Sequence, residues 1–296
     1  MSIVVETVSA VVIETAATTI TLVKPTGLVV GNLMVAILGG YGATAGVHTG
    51  VFSTLATWTS AVGGNFLDDV SQSVQFKVAT AGDVAAADFT FTNTSTSPRL
   101  TGILLRCSGN NTVEGGLGTT DQETDSNVDV AAFTGSLSAY TPPVAGALVI
   151  FQLGRRDPDS NFRTVSGYTV VNTTFTEAYD VQRGGTSDVM GVAAAYGVQS
   201  TASSISTYTA TFSGAVNDHF GQLAVFNPPV PASGSNTLAT TNSAHFTQAG
   251  TCDTIGGANV LTESTGVALP QGGIGANPTV WTPQVKTATT WTQETK

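Results

Sequence analysis

The sequence predicts an all-β protein, an antiparallel β-sandwich followed by an extended C-terminal arm, on three observations. First, Thr, Ser, Ala, Val and Gly take the place of charged residues, which make up only 10% of the 296 residues against about 25% in average soluble proteins. Second, Val and Thr suit pleated strands, whereas the straight-chain helix formers Glu, Lys, Arg and Met are scarce. Third, short apolar runs recur between clusters of Gly, Asn, Asp, Pro and Ser, a spacing typical of sandwiches.

The apolar runs are the predicted strands. They cover residues 2–14, 19–24, 32–38, 73–79, 88–92, 102–107, 147–153, 168–175, 189–198, 207–212 and 222–226. We expect residues 2–23 to be ordered as strands, because a free segment of this kind would expose a flat apolar edge. Residues 79–88 could form one short helical turn, but Gly82 and the brevity of the segment favour a connector.

A faint internal repeat runs through the chain. Segments that begin at Gly31, Trp58, Asp88 and Gly102 recur in the same order at Gly146, Tyr168, Thr207 and Gly221. Either a unit was duplicated, or two halves, about 27–110 and 140–229, supply matching strands to one jelly-roll-like body over residues 1–229. We favour the single two-sheet body, because residues 109–136 lack proline and have the character of a long loop.

The last part of the chain differs from the rest. Three prolines with Gly and Ser in residues 227–236 are typical of a boundary, so we interpret 230–296 as an extended linker and docking arm. The arm ends in a tandem repeat, Trp281-Thr-Pro-Gln-Val-Lys286 followed by Trp291-Thr-Gln-Glu-Thr-Lys296. Tryptophan is enriched at binding hot spots. The predicted contacts on another chain are Trp281, Gln284, Lys286, Trp291 and Lys296; alternatively, each Trp folds back on its own domain.

The charge distribution excludes some partners. The net charge is −10, and the ten basic residues form no cluster that could neutralise phosphates, so we expect no nucleic-acid binding. The N-terminus lacks the positive segment of a signal peptide, since the first basic residue is Lys24. The uncharged stretch from Pro25 to Asp68 is broken by glycines and Asn32. It therefore indicates a strand buried on both faces and no membrane insertion.

No motif for catalysis, a cofactor or a metal is present in the sequence. His48, His219 and His245 are isolated and lack zinc-site spacing. Paired carboxylates could perform glycosidase chemistry, and the candidates are Asp68 with Asp69, Asp157 with Asp159, and Asp180. Such scattered acids are common on β-proteins, so the sequence predicts that the protein is not an enzyme.

One acidic segment and two cysteines leave alternatives open. Asp121, Glu123, Asp125, Asn127 and Asp129 alternate along the chain. Such oxygen ligands can bind Ca²⁺, but Ser126 and Ala132 stand where an EF-hand needs Gly and Glu, so an exposed loop or an edge strand is favoured. Cys107 alternates with apolar residues, which indicates a buried thiol, and its pairing with Cys252 is left open.

The order of several strand motifs resembles a family of phage and prophage β-sandwich proteins over residues 27–229. The motifs are Gly31-Asn32-Leu33, Trp58-Thr59, Phe76-Lys77-Val78-Ala79-Thr80-Ala81, Phe89-Thr90-Phe91 and Gly102-Ile103-Leu104, with a looser second half from Gly146-Ala147-Leu148 to Phe226. The two terminal Trp repeats are similar to the tails of marine phage structural proteins.

The resemblance implies a structural component of a bacteriophage virion, such as a decoration protein, head fibre or tail appendage. Such a protein is present in many copies and contacts other copies of itself and other virion proteins. It is assembled in the host cytoplasm and exposed to the medium in the virion. The alternative is a receptor- or carbohydrate-binding module that contacts a host-surface glycan, with Tyr140, Tyr168 and Tyr179 as aromatic platforms.

Overall fold

The computed structural model describes residues 2–42, 48–66, 69–95, 98–110, 116–125, 130–157, 162–184 and 189–230, and also 280–281 and 293–294. These residues form antiparallel strands almost throughout, which confirms the all-β prediction. The chain divides into two compact units, Met1–Val230 and Pro231–Lys296.

The first half of the larger unit, up to residue 110, is a sandwich of two sheets. Its elements are β1 (Val4–Val8), β2 (Val12–Thr15), β3 (Thr19–Val23), β4 (Leu33–Tyr41), β5 (Thr59–Phe66), β6 (Val70–Val78), helix α1 (Ala81–Ala85), β7 (Asp88–Thr92) and β8 (Arg99–Ser108). The large sheet has the order β1-β8-β4-β6-β5, and β2 also pairs with β8. The small sheet, β3-β7, closes over an apolar core that includes Leu22, Met34, Trp58 and Phe91.

The second half, residues 116–226, repeats this plan. Its strands are β9 (Leu117–Asp125), β10 (Val130–Tyr140), β11 (Leu148–Asp157), β12 (Val165–Thr169), β13 (Thr173–Gly184), β14 (Val189–Gln199), β15 (Ile205–Val216) and β16 (Asp218–Phe226). The large sheet has the order β13-β14-β11-β16-β9, and the small sheet is β10-β15-β12. Their shared core includes Phe133, Phe151, Tyr208 and Phe212.

The two halves share one strand plan, and each is a sandwich of a large and a small sheet, so the described residues of the body form four sheets and not the two that we favoured from the sequence. The strand orders match when β4 is aligned with β11, β6 with β14, and β8 with β16. Residues 109–136 are not one long loop, because they contain β9 and the first part of β10. The polar strand β9 lies at the edge of its sheet and so lacks the apolar character of a buried strand. Each half also begins earlier than expected, with β1 and with β9.

The two large sheets pack face to face around a central core that takes residues from both halves. Strand β4 faces β14 and β6 faces β11, so exchanging the halves reproduces the arrangement as a pseudo-two-fold axis would. Gly39 lets the sheets approach, since a Cβ there would contact Val192 at 2.7 Å. Gln152 joins them by donating from Nε2 to the Leu38 carbonyl at 2.9 Å and to the Tyr179 hydroxyl at 3.0 Å.

Two local predictions can be compared with the structure. Residues 2–23 contain β1, β2 and β3, which confirms that the N-terminal segment is ordered as strands. Residues 79–88, which we favoured as a connector, contain the short helix α1, because it begins with a capping box in which Thr80 and Asp83 bond reciprocally. Lys77 Nζ lies 2.8 Å from Asp83 Oδ1 and holds the helix against the end of β6.

In the smaller unit, the structure describes two short strands. Strand β17 (Val280–Trp281) pairs antiparallel with β18 (Gln293–Glu294), so the two Trp-Thr repeats meet at the level of the backbone. Trp281 is opposite Gln293. The role of this unit as a docking arm stays a prediction.

Candidate functional site

The carboxylates considered for acid–base chemistry are paired with arginines. Asp69, Asp157 and Asp180 are buried or nearly so, whereas Asp68 and Asp159 lie outside the described residues. The ion pairs are Asp69 Oδ2 with Arg156 Nη1 at 3.3 Å, Asp157 Oδ2 with Arg163 Nε at 3.3 Å, and Asp180 Oδ1 with Arg155 Nη2 at 2.5 Å. Each of these carboxylates is thus engaged in an ion pair inside the body.

These ion pairs form what we call the end cluster, at the end of the body where β11 finishes and β16 begins. Arg156 Nη1 also lies 3.7 Å from Asp218 Oδ2, so one guanidinium connects a carboxylate of each half. The cluster surrounds a cavity with room for about one water molecule. Phe66 stacks on Phe220 beside it. The cavity is too small for a sugar or a peptide, and the arrangement ties together the ends of the two large sheets.

His48 and Ser71 form a buried pair that sequence spacing did not reveal. His48 Nε2 lies 2.7 Å from Ser71 Oγ, a distance typical of a base and a nucleophile. Both residues have no exposed surface, and Asn93 Nδ2 donates to the same Ser71 Oγ at 2.9 Å. Burial lowers the pKa of His48 to about 4, so its ring is neutral. The pair anchors the segment before Gly50 to β6 rather than facing a substrate.

The other histidines do not form a metal centre. His219 is buried against the rings of Phe133 and Phe212, and His245 lies outside the described residues. In the part of the chain that the structure describes, no three His, Cys, Asp or Glu side chains converge as metal ligands would. Across the same residues, none of the helices has the length and apolar character to span a membrane.

The acidic segment lies on edge strand β9 as far as Asp125, so an edge strand, one of the two locations favoured from the sequence, holds its first part. Asp121 and Glu123 are half-buried on this strand, and Asp121 Oδ2 accepts a hydrogen bond from Tyr208 Oη at 2.8 Å. Gln122 Nε2 donates to the Gly63 carbonyl of β5 at 3.3 Å, so the edge of one large sheet is linked to the edge of the other. Asn127 and Asp129 lie outside the described residues.

The remaining candidates are packed into the body. Tyr179 is buried, Tyr168 is half-buried with its ring against Phe151, and Tyr140 accepts a hydrogen bond from Asn227 at 2.6 Å. These contacts occupy the rings that were expected to be aromatic platforms. Cys107 is a free, buried thiol whose pKa is raised to about 12 by burial, and Cys252 lies outside the described residues.

The predicted docking residues of the C-terminal arm are only partly described. The backbone of Trp281 lies in β17. Gln284, Lys286, Trp291 and Lys296 lie outside the described residues.

A different surface has the features of an interaction site, and we call residues 2–15, which contain β1 and β2, the N-terminal edge. Both strands pair with β8 at the border of the first large sheet. Four large apolar side chains of this edge are exposed: Val4 (48%), Val8 (39%), Val11 (45%) and Ile13 (53%). A sheet border with exposed apolar side chains is a known template for pairing with another chain.

The charge on the N-terminal edge is small and partly neutralised. Glu6 Oε2 lies 3.8 Å from Arg106 Nη2, and Glu6 Oε1 accepts a hydrogen bond from Ser108 Oγ at 2.5 Å. The equivalent border of the second half is β9, which has acidic residues instead of valines. The other two borders are β5, which contains adjacent glycines, and β13, which contains Glu177 and Asp180. Both contain a register shift, as β1 also does between Val5 and Thr7. The group of four exposed apolar side chains is thus specific to one of the four large-sheet borders.

No protein-family model matches this sequence, and no curated protein or solved structure matches the chain. The function is therefore inferred from the residues of the chain itself.

Proposed function

We propose that this chain is a structural protein of a bacteriophage virion, present in many copies, that acts by self-association and by docking on other virion proteins. The observation that carries this proposal is the N-terminal edge, where Val4, Val8, Val11 and Ile13 meet solvent on a sheet border. An exposed apolar border is a liability for a solitary protein but is suited to a protein that meets its own copies or its neighbours in an assembly.

Two further features support the proposal. Only 10% of the residues are charged, and a protein packed among other subunits has few surface charges to desolvate, since interface cores are depleted in charged residues. The order of strand motifs from Gly31 to Phe226 resembles phage and prophage β-sandwich proteins. In this proposal, the C-terminal repeat with Trp281 and Trp291 docks on a neighbouring virion protein.

The test is made on virions banded from a lysate of the host. Quantitative mass spectrometry of the particles should detect this chain in many copies per virion. A handful of copies would favour the alternative, a receptor- or glycan-binding module at a tail tip. If the chain is absent from the particles, the virion proposal is wrong.

The docking role of the arm is tested separately with the full-length variant Trp281→Ala/Trp291→Ala. This variant should no longer co-sediment with particles that lack the native protein, whereas the native chain does. Its unfolding by urea should match that of the native chain, because the substitutions lie outside the Met1–Val230 unit. If the variant co-sediments normally, the tryptophans are not the anchors.

A further inference from the structure

The sequence of the N-terminal edge is nearly a palindrome centred on Val8. Residues 3–13 read Ile-Val-Val-Glu-Thr-Val-Ser-Ala-Val-Val-Ile. The three outer pairs are identical, Thr7 matches the hydroxyl residue Ser9, and the one unlike pair is Glu6 with Ala10. A strand of this kind meets itself with like side chains opposite each other when two copies run antiparallel.

We propose that two copies of this chain pair edge to edge through their N-terminal edges, antiparallel, about a two-fold axis that passes through Val8. This inference rests on the self-association part of the proposed function and names its partner and register. Strands β1 and β2 both pair with β8 on one side, and within the described residues no strand pairs with their other side. Just before β1, the Ile3 N–H donates to the Gly146 carbonyl at 2.9 Å. Antiparallel pairing of identical strands is isologous, so it closes into a dimer.

The burial of the side chains is complementary in this register. Ile3 belongs to the central core, Val5 packs against that core, and Val12 packs against the core of the first half. The exposed Ile13 and Val11 would lie beside Ile3 and Val5 of the second copy. Exposed Val4 would lie beside the Val12 of that copy. Each exposed apolar side chain thus extends a core that already exists in the other molecule, which removes apolar surface from water on both sides of the junction.

The charges favour the same register. Glu6 would lie opposite Ala10, and Glu14 opposite Ser2, so no carboxylate meets another carboxylate. A displacement of the register by four residues would place Glu6 opposite Glu14, and like charges directly opposite are destabilising. The equivalent border, β9, has Asp121 and Glu123 and is linked to β5 through Gln122. Of these two equivalent borders only the N-terminal edge is apolar, and its pairing about a two-fold axis gives a dimer rather than a fibre.

The test introduces a charge at the two-fold axis by substituting Val8 in the full-length protein. In Val8→Lys the two lysines of a pair would face each other, and likewise the two glutamates in Val8→Glu. The control is Val23→Lys, which places the same charge on an equally apolar and more exposed (60%) site of β3. Sedimentation velocity should show dimers for the native chain and for Val23→Lys. Each Val8 variant alone should sediment as a monomer, with association weakened by about a hundredfold or more.

The decisive sample is an equimolar mixture of Val8→Lys and Val8→Glu, which should sediment as dimers again because opposite charges then meet at the axis. A monomeric native chain, or dimers of Val8→Lys alone, would overturn the proposal. A mixture that stays monomeric would overturn the register. Melting curves identify any variant that is unfolded.

A cross-link gives an independent measurement. Opposite residues of antiparallel strands have Cα atoms about 4.5–5.5 Å apart, within the range of a disulfide. Val8→Cys in a Cys252→Ser background should form a covalent dimer on oxidation, whereas Val23→Cys in the same background should not. Failure to cross-link contradicts the pairing about Val8. These experiments need no virion, so absence of the chain from particles would refute the virion proposal and leave the dimer standing.

Discussion

Gly221 and Gly102 occupy equivalent positions on β16 and β8, and we expect alanine to have different effects at the two sites. A Cβ at Gly221 would overlap the ring of Phe133, which reaches over β16 from the small sheet. At Gly102 the corresponding residue of the small sheet is Leu22, whose nearest atom would lie 3.5 Å from the new Cβ, with Leu38 at 3.0 Å. The same substitution therefore overpacks one half and is nearly accommodated in the other.

The magnitude follows from how firmly the Phe133 ring is held. Its centroid lies 5.8 Å from that of Phe151, 5.5 Å from that of Tyr208 and 5.6 Å from that of His219, so the ring has little room to withdraw. Overpacking a core costs about 1–3 kcal/mol. We expect Gly221→Ala to cost about 3 kcal/mol and Gly102→Ala about 1 kcal/mol, the upper and lower ends of the range for overpacking. For a body of this size, the difference of about 2 kcal/mol is a shift of roughly 4–8 °C in melting temperature.

The assay is urea unfolding followed by far-ultraviolet circular dichroism on the full-length chain, with midpoints compared at unchanged slope. Phe133→Leu recreates the Leu–Gly combination of the first half. The double variant Gly221→Ala/Phe133→Leu should therefore lose less stability than the sum of its single variants, by about 1 kcal/mol or more. If Gly221→Ala costs no more than Gly102→Ala, or if the double variant is additive, the ring does not limit the space at Gly221 and the reasoning is refuted.

Three further predictions concern buried groups. Asp180→Ala leaves the buried guanidinium of Arg155 without its ion pair, so the free energy of unfolding should fall by about 3–5 kcal/mol. The double variant Arg155→Met/Asp180→Leu removes both charges and should lose much less stability. Equal losses for the two variants in urea titrations would contradict this. Burial lowers the pKa of His48 from 6.5 to about 4, so the folded state favours the neutral ring. The contribution of His48 to the stability of the fold is therefore complete above about pH 6.5 and is lost as the pH falls toward 4. Between these values the native chain should lose more stability than His48→Gln, and parallel curves would count against the assignment. Since burial raises the pKa of Cys107 to about 12, a Cys252→Ser variant should react with a thiol reagent at mildly alkaline pH only after unfolding; fast labelling of the folded chain would show that the thiol is accessible.

Most strands were predictable because their apolar side chains follow the pleat or fill both faces of a sheet. The run around Leu33–Leu38 is buried at every position, as its unbroken apolar sequence indicated. The sequence did not reveal β5, β9 and β10, and the predicted strand 168–175 is divided by a turn between β12 and β13. Strand β10 buries Phe133 but otherwise has small and polar residues, whereas β5 and β9 have little to bury. Strand β9 is a polar border, and β5 contains Gly63 and Gly64 beside a register shift, so neither shows alternation.

The number of layers was predictable in principle from the same runs. A strand that is apolar on both faces needs a packing partner on each face. The runs at Leu33–Leu38 and Leu148–Leu153 both have this character. Each run lies in a large sheet, one face of which packs on the small sheet of its own half and the other face on the large sheet of the other half. Two such strands in matching positions of a repeat already indicate more than one sandwich.

The polar groups of the interior could not be paired from the sequence. Arg156 meets Asp69 and Asp218, which lie 87 and 62 residues away along the chain, and His48 meets Ser71 across a different strand. Folding of the first half brings His48 to Ser71, the pairing of β11 with β16 brings Arg156 to Asp218, and only the packing of the two halves brings Arg156 to Asp69. Their residue types indicated candidate chemistry, whereas their contacts indicate structural roles.

A body made of two similar sandwiches has two sets of sheet borders, and both sets are available for contact with other molecules. If both sandwiches had an apolar border, each molecule would present two sites at which another chain could add, and association would have no natural end. The two halves differ at this border: β9 has acidic residues and is linked to β5, whereas the N-terminal edge has kept valines in a near-palindromic order. If the apolar border of each molecule pairs with that of a second molecule, this contact gives a closed pair and no more. Growth beyond a pair must then use a chemically different surface, and the Trp repeat of the C-terminal unit is the segment with the composition for that role.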